Sequence, residues 1–143
     1  MMTRAQIDRF LREQGVEPFQ FICLDSEYSL PDADWVDGDF STALAASGFA
    51  LLYGDYIPEA CDCDDFAFFA HFMAKVANAR AKNKRGILFG VLTYERDKGG
   101  AHAINWFISV RDGERRLHFW EPQTKSEIKL SQHEKGRIDS IIV

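Results

Sequence analysis

Cysteine is scarce and odd in number: three in 143 residues, with Cys61 and Cys63 separated by a single residue. A pair that close staples nothing useful, which excludes a disulfide framework and leaves reduced thiols as the expectation. Long apolar runs are lacking too. None approaches the roughly 18 residues that a membrane span requires, and Met1 to Leu11 has no continuous apolar core of the signal-peptide kind. A cytoplasmic protein with no membrane partner is therefore expected. Positive charge is in short supply, with a formal charge of −5 and a pI near 5.3. A nucleic-acid partner is excluded on that ground, because phosphate recognition needs a basic field. The densest basic run, Arg80 to Arg85, reads as the polar end of a helix. Internal repeats, low-complexity tracts and linkers are also absent.

What is present is an ordinary globular balance: 46% hydrophobic residues, including twelve Phe, against 27% charged. The length suits one domain spanning residues 1–143. Thr3 with Gln6 reads as a capping box ahead of Ile7, Phe10 and Leu11 at helical spacing, and Gly15 supplies a stop. Phe19 to Leu24 reads as a strand or extended segment, Asp25 to Asp34 as polar turns, and Trp35 to Leu44 as a second helix weakened by Gly38. Residues 54–58 read as a loop. From Asp62 onward Phe66, Ala67, Phe69, Ala70, Met73, Val76 and Ala77 form one apolar face, which predicts a central helix running to Gly86. Phe68 and Phe72 fall off that face, and the surplus rings mark a homodimer contact as an expectation. Strands are predicted at 87–94, 102–110, 117–121 and 128–130, joined by turns that favour an antiparallel meander. Ser131 with Glu134 caps a last helical turn before an apolar end at 138–143. Helices first and a sheet later imply an α+β fold.

Cys63 stands at the start of the central helix, just after Asp62, which suits the cap. Unpaired N–H groups there lower a thiol pKa and can receive an oxyanion, so Cys63 is the candidate nucleophile. Asp62, Asp64 and Asp65 oppose ionisation, so activation requires a paired imidazolium. Of four histidines, His102 follows the Gly99-Gly100 turn at a strand start and is the candidate base; His71, His118 and His133 have structural readings. Glu121 is the candidate orienting acid. A hairpin sets the end of its strand beside the start of the strand that carries His102, whereas Asn105 points to the other side of the sheet.

The blocks Cys63-Asp64-Asp65-Phe66-Ala67, Gly100-Ala101-His102-Ala103-Ile104-Asn105-Trp106 and Glu121-Pro122-Gln123-Thr124 resemble the papain-like domain attached to a mushroom galactose-binding agglutinin and its small bacterial and phage relatives. The first block is also similar to the wider transglutaminase-like superfamily. The resemblance covers roughly residues 54–130. It implies a papain-like fold with the Cys-bearing helix packed on an antiparallel sheet, and a cysteine peptidase or isopeptidase acting on a peptide or protein substrate through Cys63, His102 and Glu121. It also implies calcium, with Asp64, Asp65 and Asn105 as ligands. No Gln stands shortly before Cys63; Tyr56 is the nearest polar side chain there, and Gln123 either supports the site or caps the Pro122 turn. Two alternatives accompany this reading: a non-catalytic binding module of the same fold, and acyl transfer to an amine.

Other residue groupings read as structural. Asp32, Asp34, Asp37 and Asp39 do not follow the EF-hand spacing and suit a solvated helix start. Cys61, Cys63, His71 and His102 lack the paired C-x-x-C spacing of a zinc site.

Overall fold

Helix starts in this chain are set by side chains that satisfy unpaired first-turn N–H groups. The computed structural model describes residues 1–49 and 62–143. Gln6 Oε1 accepts from Thr3 N–H at 2.9 Å and Thr3 Oγ1 accepts from Gln6 N–H at 3.4 Å, opening α1 (Arg4–Glu13) behind the two-residue strand β1 (Met2–Thr3). Ser131 and Glu134 repeat the reciprocal pair ahead of α5 (Gln132–Lys135). Asp32 Oδ1 accepts from Asp34 N–H and starts a helical stretch made of α2 (Ala33–Trp35), a π-helical turn (Val36–Phe40), α3 (Ser41–Leu44) and a second π-helical turn (Ala45–Phe49). The expected loop at 54–58, with Tyr56, and Cys61 lie outside the described residues.

The central helix is α4 (Cys63–Arg80), with Asp62 as its cap. It stops well short of Gly86. Asn78 Nδ2 donates to Arg85 O at 2.8 Å and Asn83 Nδ2 donates to Asn78 Oδ1, while Lys82 takes φ 57°. Asparagine amides that bond neighbouring backbone compete with helix propagation, so 81–85 folds back as a turn. Of the expected apolar face, Phe66, Ala67 and Ala70 are buried and Phe69, Met73, Val76 and Ala77 only partly so; Ala74 and His71, which that face did not include, are buried as well. Phe68 and Phe72 stay exposed.

Among the described residues nine strands form two sheets. β1 pairs with β3 (Glu27–Ser29), which pairs with β4 (Gly86–Ile87). The larger sheet runs β2 (Gln20–Ile22), β9 (Ile138–Ile142), β5 (Phe89–Glu95), β6 (Ala101–Arg111), β7 (Glu114–Glu121) and β8 (Ser126–Ile128) in spatial order. From β5 to β8 it is the expected antiparallel meander. The β2–β9 pair is parallel, so the sheet is mixed rather than antiparallel throughout. The strand at Glu27–Ser29 falls where only turns were expected. Its one fully buried side chain, Tyr28, is fixed by a hydroxyl that donates to Val143 O at 3.0 Å, a contact that no local pattern encodes.

Alternation on the long strands divides the core in two. Leu92, Tyr94, Ile104, Trp106 and Ile108 pack with Ile7 and Leu11 of α1. On the other face Phe89, Phe107 and Trp120 pack with Phe66, Ala70 and Ala74 of α4 and with Val36 and Phe40. The result is an α+β arrangement in which the sheet carries helices on both faces.

Candidate functional site

Cys63 occupies the first turn of α4, where its side chain packs against Ala67, Val91 and Ala103. Its Sγ accepts a hydrogen bond from Ala103 N–H at 3.4 Å. Burial pushes the thiol pKa above its ordinary value; the Ala103 N–H pulls the other way, and Asp62 and Asp64 push it up again. Burial thus outweighs the stabilisation that the helix start offers a thiolate.

His102 and Glu121 meet across the β6–β7 pair. His102 Nε2 lies 2.7 Å from Glu121 Oε2, and each side chain is 13% exposed. The second carboxylate oxygen, Oε1, accepts from Gln123 N–H at 3.2 Å, so the backbone after Pro122 holds Glu121 in place. The ring of His102 stands edge-on to Tyr94 at 5.9 Å. Burial, with Glu134 and Glu121 nearby, pushes the Tyr94 hydroxyl up to about 12, so it remains a neutral donor. Cys63 and His102 share a stretch of backbone at residues 102–103, but no hydrogen bond joins their side chains.

An open groove of ≈ 490 Å³ runs past this pair, lined among others by Arg96, Lys98, His102, Glu121, Gln123 and Lys129. Cys63 does not line it. The cations of the groove were not singled out from sequence. The signal available was the Gly99-Gly100 turn flanked by charged residues, a pattern too common on surfaces to stand out.

The expected calcium ligands separate. Asp65 Oδ2 accepts from Asp62 N–H at 3.1 Å as part of the helix cap. Asn105 is fully buried and ties helix to sheet, its amide donating to Ala67 O and Gly90 O at 2.9 and 3.0 Å. Asp64 is the one of the three that stands among other ligand atoms: those of Asp62, Cys63 and Asp64 lie within 4.8 Å of one another. A hydrogen bond from Asp62 raises the Asp64 pKa, with burial adding to the shift. Carboxylate oxygens are the donors that a hard divalent cation takes.

The remaining histidines are structural. His71 Nδ1 lies 2.6 Å from Phe89 O, and His118 links Ser109 Oγ (2.8 Å) to Glu127 (3.0 Å) while its ring stacks on Phe107 at 4.4 Å. His133 contacts Asp97 at 2.8 Å. Cys63, His71 and His102 each have separate partners and form no zinc centre among the described residues.

Residues 47–127 match the agglutinin C-terminal family. Among solved structures, a PSL1a–E64 complex is similar at 23% identity and a TM-score of 0.75, covering 99% of this chain and 50% of that one. A Polyporus squamosus lectin bound to the human-type influenza-binding epitope Neu5Aca2-6Galb1-4GlcNAc is similar at 23% identity and a TM-score of 0.73, covering 99% and 49%. The chain thus spans about half the length of these structures, and at this identity the likeness concerns the fold. No curated protein matches the chain.

These findings correct the hydrolase reading. The agglutinin part of the resemblance is supported; the papain-like peptidase and transglutaminase-like identities are not, and with them go the thiol hydrolase, its catalytic triad and the peptide or protein substrate. The physical reason agrees. Activation required an imidazole paired with the thiol, and no hydrogen bond joins the side chains of Cys63 and His102; the Cys63 sulfur is held by the Ala103 N–H instead.

Proposed function

We propose, from the premise that this chain belongs to the agglutinin C-terminal family, that it is a non-catalytic binding module whose ligand surface is the groove floored by His102 and Glu121. One observation carries the reading: the groove is lined by the fixed His102–Glu121 pair and by exposed polar groups, and the thiol stands outside it. Its volume falls within the range of about 300–1,000 Å³ usual for small-ligand sites. A saccharide is the ligand class to test first, because such a site offers fixed donors and acceptors rather than an apolar cavity, and because one structural neighbour is a lectin with a glycan epitope bound.

Titration of the protein with D-galactose, followed by amide and side-chain NMR, tests this. Shifts that map to His102, Glu121 and Gln123 and vanish in Glu121→Gln are expected. Turnover of a peptide substrate that Cys63→Ala abolishes would overturn the reading.

The proposal includes calcium, which the family resemblance implied with Asp64, Asp65 and Asn105 as ligands; of these three, Asp64 is the one that stands with other ligand atoms, those of Asp62 and Cys63, at the start of α4. Millimolar calcium raises the unfolding temperature, and Asp64→Asn removes that rise. An equal rise with magnesium, or none with either ion, argues against it.

A further inference from the structure

β8 and the turn before it supply one wall of the groove, with Gln123, Thr124 and Ile128 among the lining residues. The strand is weakly secured: it lies at the edge of the larger sheet and pairs with β7 over three residues. A slip of one residue would turn Ile128 away from the core and is excluded by alternation, whereas a slip of two keeps every side chain on its own face. That second slip matters to the site. Glu121 is paired with Ser126, and in the turn between them Gln123 N–H donates to Glu121 Oε1 at 3.2 Å while Oε2 engages His102. Moving β8 by two residues reshapes the turn and withdraws that N–H.

Three side chains on the opposite face of the sheet exclude it. Strand pairing places Ser109 of β6, His118 of β7 and Glu127 of β8 on the α4 face, away from His102 and Glu121. Glu127 is paired with Trp120, yet its Oε1 lies 3.0 Å from His118 Nδ1; His118 is paired with Phe107, yet its Nε2 lies 2.8 Å from Ser109 Oγ. Both contacts run diagonally across the strands, so sliding β8 by two residues breaks the first of them. An ionised carboxylate only accepts, so His118 Nδ1–H is the donor to Glu127. The imidazole is itself fixed, stacked on Phe107 at 4.4 Å and 8°. Among the described residues of β8, Glu127 is the one whose side chain bonds to another strand. Resting on the binding reading above, we infer that Ser109, His118 and Glu127 are positioning residues for the His102–Glu121 pair: they pin the register of β8 from the back of the sheet, and the register sets the Gln123 contact that holds Glu121 at the front.

Glu127→Ala tests this, because the Glu127 side chain is 52% exposed and its removal leaves the core intact. Amide exchange at Gln123 should quicken about tenfold, the worth of one hydrogen bond, and the imidazole 15N resonances of His102 should move, while amides of β5 and β6 keep their protection. Glu127→Gln, whose side-chain carbonyl still accepts from His118, should restore both signals. Unchanged Gln123 exchange and His102 resonances in Glu127→Ala overturn the inference. Loss of protection throughout β5 and β6 overturns it as well, since the three residues would then serve the fold as a whole. These signals are read without added sugar, so a D-galactose titration that shifts nothing overturns the binding reading alone.

Discussion

Gly90 on β5 lies directly opposite Trp106 on β6, and a Cβ at residue 90 would collide with the Trp106 indole and with Ile142 O of β9. The glycine lets a fully buried tryptophan lie across a sheet that is closed on both sides at that point.

Gly90→Ala therefore destabilises the protein by about 1–3 kcal/mol, since the backbone carbonyl of Ile142 has no room to yield. Urea denaturation measures it. A loss below a few tenths of a kcal/mol would show that β5 and β9 separate more easily than their packing implies.

His71 supplies an acid-sensitive element. Burial lowers its pKa below 6.5, opposed in part by its bond to Phe89 O. Because the unfolded state binds the proton more readily, this contribution is fully present above pH 6.5 and is lost as pH falls through the lowered folded value. Stability against urea should decline over that window in the wild type, and the decline should be smaller in His71→Leu; parallel curves would remove His71 as its cause.

Cys63 should alkylate slowly. With its pKa raised, iodoacetamide labelling followed by peptide mapping, which separates it from Cys23 and Cys61, should remain slow at pH 7 and accelerate only as pH passes the ordinary thiol value. Rapid labelling well below pH 8 that collapses in His102→Ala would reveal an imidazole-activated thiolate and contradict the binding reading.

Asp97 clamps the turn between β5 and β6 to the start of α5 through Ser131, His133 and Arg137. Its lowered pKa means the clamp contributes above the ordinary Asp value and is released as pH falls through the folded one. Asp97→Asn should speed amide exchange at Lys98, which lines the groove, and at Gly99 and Gly100 beside it, while leaving β6 protected. Unchanged exchange there would mean the Gly99-Gly100 turn is held by its own backbone bonds.

Local rules in the sequence reached far into the fold. Thr3 with Gln6, Asp62 before Cys63 and Ser131 with Glu134 marked helix starts, because a cap involves residues three apart or fewer. The hairpins β5 to β8 were legible for the same reason, and strand pairing also brought Glu121 toward His102. The early end of α4 was missed because the Asn78 contact with Arg85 depends on a fold-back that the apolar pattern does not record. β3 and the parallel β2–β9 pair were missed since Tyr28 and Phe21 find partners more than a hundred residues away.

By itself the sequence determined the α+β class, the α4 core face, the antiparallel meander and the positions of Cys63, His102 and Glu121 on their elements, all consequences of periodicity and short-range capping. Only the tertiary structure decided what those side chains do to one another. Whether a thiol ionises and which carboxylate oxygens are spent depend on burial and on hydrogen bonds across strands and loops, and spacing along the chain carries no record of them.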